Sequence, residues 1–99
     1  MTKHELRVRR GSKWLSSIRP LWFRESRLKR LRLQSGCNCI LGQLYGDYAS
    51  ARDQFGSDST ALEALGLYHS TEDRTGGDGV YRKLTELWCK EIRRLRGAQ

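Results

Sequence analysis

The sequence predicts an all-α fold: a small bundle of three to four helices behind a basic, flexible N-terminal arm. Three observations carry that prediction. Ile40, Leu44, Tyr48, Ala51 and Phe55 recur at helical spacing, and so do Tyr81, Leu84, Trp88, Ile92 and Leu95. Thr60-Ala-Leu-Glu63 has the form of a capping box, and Gly66 that of a left-handed helix stop. The chain has 99 residues, 37% of them hydrophobic, which is enough for one domain with a small core. A chain of this length buries about 65% of its unfolded surface.

The elements follow in order. Residues 1–11, MTKHELRVRRG, are polar and basic with no sustained apolar period, and read as a mobile arm ending at Gly11. The domain then occupies residues 12–99. Ser12 suits an N-cap, and Trp14, Leu15 and Ile18 follow at helical spacing. The residue before Pro20 is pushed out of the α region, so this helix is short. Pro20 can open a further turn carrying Leu21, Trp22 and Phe23. Over residues 24–34, Leu28 and Leu31 fit a helix, while Leu31 and Leu33 flanking Arg32 fit a strand. A helical turn followed by an extended stretch is the reading adopted.

Residues 37–55 read as one helix, its apolar face widened by Leu41 and Tyr45. Gly42 and Gly46 lie four apart in it, and each costs roughly 1 kcal/mol relative to Ala. Close approach of another element is the favoured reason; a local break of the helix is the other. Gly56-Ser-Asp-Ser59 is a loop by composition, followed by a short helix bearing Leu62 and Leu65. Residues 69–79 are expected to be the most flexible internal segment, with Gly76-Gly-Asp-Gly79 as a linker. The last helix runs from about Val80 to about Arg96. Arg93, Arg94 and Arg96 lie at its end, where positive charge complements the helix dipole.

Charge is divided along the chain. Residues 1–34 hold 11 Lys/Arg against 2 Asp/Glu, residues 35–79 hold 2 against 7, and residues 80–99 hold 6 against 2. The net charge is +8. Two basic ends around an acidic middle point either to a polyanionic partner or to ends folded back on the middle. Arg7, Arg9, Arg10, Arg24, Arg27, Lys29, Arg30 and Arg32 are the candidate polyanion-binding residues, since together they can neutralise several phosphates. Trp14 and Trp22 lie among them. Stacking on bases is one role for these rings, and anchoring the core is the favoured one. No helix-turn-helix, zinc-finger or RNA-binding signature can be placed, so base-specific reading is not expected.

Catalysis and metal binding find little support. Cys37 and Cys39 are separated by one residue, whereas paired zinc ligands are usually two to four apart. Cys89, His4 and His69 are unpaired in sequence, so neither a metal nor another cofactor is expected. A thiol at a helix start can have a lowered pKa, but no partner histidine stands near it in sequence. No nucleophile–base constellation emerges, and the protein is expected not to be an enzyme. No run of 18 apolar residues and no signal-like start occur, so a cytoplasmic, non-membrane protein with free thiols is expected.

Three blocks carry a resemblance. They are Trp14-Leu15 with Pro20-Leu-Trp22, Cys39-Ile-Leu-Gly-Gln-Leu-Tyr-Gly-Asp-Tyr48, and Tyr81-Arg-Lys-Leu-Thr-Glu-Leu-Trp88. In these the chain resembles a family of small uncharacterised proteins of actinobacteria and their bacteriophages. The resemblance implies a phage or prophage accessory protein in the cytoplasm of a bacterial host, with no established activity to carry over. Members tend to be acidic over the segment matching residues 25–33, where this chain is basic, so polyanion binding would be particular to this protein. The expected partner is nucleic acid. The alternative is an acidic host protein, blocked by docking as in host takeover.

Overall fold

The computed structural model describes residues 2–33, 35, 37–56, 59–68 and 77–97. Among these the fold is all-α, as the sequence predicts. Its helices are α1 (Lys3–Ile18), α2 (Trp22–Glu25), α3 (Ile40–Tyr45), α4 (Tyr48–Phe55), α5 (Ser59–Ala64) and α6 (Gly77–Gly97), with a 3₁₀ turn at Leu28–Arg30. Six helices replace the expected three or four because most are short.

The N-terminal arm is the largest correction. Residues 3–18 form one helix that runs through Gly11. Thr2 caps it, its hydroxyl accepting from the Glu5 amide at 3.2 Å. Val8, Gly11, Ser12 and Leu15 fall at i, i+3, i+4 and i+7, and all four are buried. The segment therefore has an apolar face, though a narrow one. Gly11 is where the chain comes closest to its neighbours. A Cβ there would lie 2.0 Å from the Leu65 carbonyl oxygen and 2.9 Å from the Trp88 ring. Only glycine lets α1 seat against the end of α5 and against α6.

The long central helix is two helices. Gly46 has φ +101°, and an added Cβ there would meet nothing within 4 Å. It ends α3, and Asp47 caps α4 by accepting from the Ser50 amide at 2.7 Å. The break, not close packing, accounts for Gly46. Farther on, α5 begins at Ser59, one residue before the expected Thr60 cap, and Gly66 takes the left-handed φ of +72° as expected. Gly77 and Gly79 belong to the first turn of α6 and not to a linker. Gly76 and His69 lie outside the described residues.

The core is built around two indoles. Trp22 and Trp88 are fully buried and meet edge to face, with centroids 5.6 Å apart. Each ring N–H is satisfied, Trp88 donating to the Gly66 carbonyl at 2.7 Å and Trp22 to the Ser16 hydroxyl at 3.1 Å. Trp14 is half-buried and edges onto Phe55, which in turn edges onto Tyr45. The tryptophans anchor the fold, as a domain with so few large side chains requires.

Candidate nucleic-acid interface

The eight candidate cations separate into two groups. Arg7, Arg9 and Arg10 lie on α1. Arg7 stands 3.7 Å from Glu63 and Arg9 stands 3.4 Å from Glu91. Arg10 is exposed. Folding back on the acidic middle, the alternative raised by the charge pattern, thus holds for Arg7, whereas Arg9 meets a carboxylate of the other basic end. Arg24, exposed on α2, begins the second group.

Residues 27–33 make a ridge. Leu31 and Leu33 are buried and Leu28 is half-buried, while Arg27, Lys29, Arg30 and Arg32 are exposed. The turn and extended stretch expected here are both present. Their effect is to alternate anchors with cations. The ridge is fixed from two sides. The Gln43 side chain accepts from the Arg27 amide and donates to the Arg27 carbonyl at 3.2 Å, so it grips both backbone groups of one residue. The Leu33 amide donates to the Thr85 hydroxyl of α6 at 3.1 Å, and the Arg32 amide to the Asn38 carbonyl at 3.1 Å. Arg27, Lys29, Arg30 and Arg32 form no ion pair with a described residue. From 27 to 32 the ridge spans roughly 12 Å, three 3₁₀ steps and two extended ones. Over that length duplex DNA carries about seven charges.

Two other arginines serve the fold. Arg19 holds Glu25 in a fork at 2.6 and 2.8 Å, donates to the Leu44 carbonyl and lies 5.1 Å from the Tyr45 ring centre. That fork holds the Glu25 carboxyl below its ordinary range. Arg96 donates to the Phe23 and Ser26 carbonyls at 3.0 and 2.6 Å, fastening the end of α6 to the start of the ridge segment.

Sequence reasoning missed a third cluster. Glu91 of α6 is 5% exposed and accepts from Arg94 in a fork at 2.8 and 2.9 Å, with Arg9 of α1 on the same carboxylate. Burial pushes its carboxyl up. The Arg94 fork, the Ser12 hydroxyl and Arg9 pull it down further, so it lies below the ordinary range. Lys90 is exposed alongside. The signal for this cluster was the basic end of α6, which the dipole argument had already absorbed.

The cysteines do not assemble a site. Cys37 is exposed, Cys39 buried and Cys89 intermediate. The Cys39 sulfur accepts from the Gly42 amide at 3.2 Å, and burial raises both the Cys39 and the Cys89 thiol above their ordinary range, away from a reactive thiolate. Among the described residues no group of three or more His, Cys, Asp or Glu is placed to hold a metal ion. Nor is any described helix long and apolar enough to cross a membrane. No protein-family model matches this chain, and no curated protein or solved structure matches it either.

Proposed function

We propose that this chain is a non-enzymatic, phage-type accessory protein that binds nucleic acid in the cytoplasm of a bacterial host. The phage assignment rests on the resemblance of its three sequence blocks alone. The binding reading rests on one observation: Arg27, Lys29, Arg30 and Arg32 project from a ridge anchored by leucines, without ion-pair partners among the described residues. Four exposed cations on a backbone already held in place, without an ion-pair partner among the described residues, can meet a phosphate backbone with no further ordering of the main chain. Arg7 and Arg9, with carboxylates beside them, contribute less. Contacts of this kind are made to phosphates, so affinity is indifferent to sequence.

The test is a fluorescence-anisotropy titration with oligonucleotides across several salt concentrations. Four neutralised phosphates give a log–log slope of about −3.6 on duplex DNA. Reversing Arg27, Lys29, Arg30 and Arg32 to Glu is expected to abolish binding with the helical circular-dichroism signal intact. Absence of binding by the native protein at low salt sinks the reading.

A second reading has its own support. Leu21 is 49% exposed and lines an open surface hollow with Pro20 and Arg24. Such a spot suits docking on a host protein. Binding of that kind falls little with salt, which separates the two readings.

A further inference from the structure

We propose that the groove between α1 and α6 takes one unpaired nucleotide of a single-stranded nucleic acid, an inference that rests on the nucleic-acid reading above. The groove has a volume of about 320 Å³ and is lined by Glu5, Val8, Arg9, Leu87, Lys90, Glu91 and Arg94. That volume lies at the small end of ligand pockets, the size of one compact group. Buried Val8 and half-buried Leu87 give it an apolar floor beside the buried Glu91, and the exposed Arg9, Lys90 and Arg94 stand at its rim with half-buried Glu5.

The chemistry follows from how Glu91 is held. Its buried carboxylate is shared by two guanidiniums, so the cluster keeps a net positive charge. The Arg94 fork fixes that guanidinium plane, because Nε and an Nη both bond to Glu91. A fixed guanidinium plane is a stacking surface for a base. Lys90, exposed beside the groove, supplies the charge for the phosphate. A duplex keeps its base faces stacked on one another and has nothing to offer an apolar floor. An unpaired base has a free face, and so fits both halves of the groove.

The readout is the ratio of single-strand to duplex affinity, measured by anisotropy at one salt concentration with strands carrying equal numbers of phosphates. A general loss of charge or fold moves both affinities and leaves the ratio alone. Leu87→Ala is expected to lower the ratio about tenfold, the effect of withdrawing one apolar side chain from the face of the base. Lys90→Ala, at an exposed rim position that does not threaten folding, is expected to lower it in the same direction. Arg30→Ala on the ridge is expected to weaken both substrates together. Ridge-dependent binding with a ratio untouched by both groove variants overturns the groove and spares the ridge reading. No binding to either substrate overturns both. A free mononucleotide that competes as well as the strand shows a small-molecule site and overturns the strand assignment.

Discussion

Gly11 shows how much one missing atom decides. In an exposed helix interior, alanine for glycine would gain about 1 kcal/mol. Here the added Cβ would fall 2.0 Å from a backbone carbonyl oxygen, which cannot swing aside as a side chain can. Overpacking of this kind typically costs 1–3 kcal/mol or more. A 2.0 Å approach to backbone belongs at the top of that range, so Gly11→Ala is expected to destabilise the protein by about 2 kcal/mol net, a fall of roughly 8–16 °C in the melting midpoint for a domain of this size. A midpoint equal to or above the native value would show that α1 does not seat on Leu65 and Trp88. Gly46 is the contrasting case. There is ample room for a side chain, and the penalty would come only from φ +101°. Close approach is found at Gly11, outside the helix in which the sequence shows its pair of glycines, and at Gly46 the helix breaks instead.

At the scale of elements, the regularity of the apolar face explains what was legible and what was not. The strong periodicity of α6 was read with its face correct, because Tyr81, Leu84, Trp88 and Ile92 are large and regularly spaced. In sequence the α1 helix resembles an arm because its buried face uses Val8, Gly11, Ser12 and Leu15, two of which are not apolar side chains. Its start was nevertheless encoded. Thr2-Lys-His-Glu5 has the same Ser/Thr-x-x-Glu form that was recognised at Thr60–Glu63. Gly46-Asp47 likewise joins a stop signal to a start signal. The ridge was half legible: its alternation of leucine and cation was visible, but the Gln43 grip and the Thr85 contact are tertiary. Deleting residues 1–11 tests the revised α1. It removes the Thr2 cap, about 1 kcal/mol, and the burial of Val8, about 1.5–3 kcal/mol. The truncated chain is expected to melt at least about 10 °C lower. An unchanged midpoint would restore the mobile arm.

At the scale of the whole molecule, a chain of net charge +8 sets several of its carboxylates among its cations. Glu91 is the clearest instance, because it joins α6 to α1 through Arg9 and Ser12, with Arg94 of its own helix on the same carboxylate. Its carboxyl is lowered in the folded state from the ordinary value of 4.5. A group depressed on folding contributes stability that is fully present above its unfolded value and is lost as pH falls through its folded value. Stability is therefore expected to hold near neutrality and to decline once pH drops below about 4.5, while protonation also adds to the self-repulsion of an already cationic chain. Glu91→Gln separates the local effect from the general one. At pH 7 the variant leaves two guanidiniums without their shared anion and is expected to be less stable than the native protein. Below the carboxyl range the native residue is itself uncharged, so the two stabilities are expected to converge. Urea unfolding followed by circular dichroism from pH 7 to pH 2 measures both. Parallel curves across that range would mean that Glu91 stabilises the α1–α6 contact by packing alone, and that acid sensitivity belongs to the other carboxylates, among them Glu25 beneath its fork from Arg19.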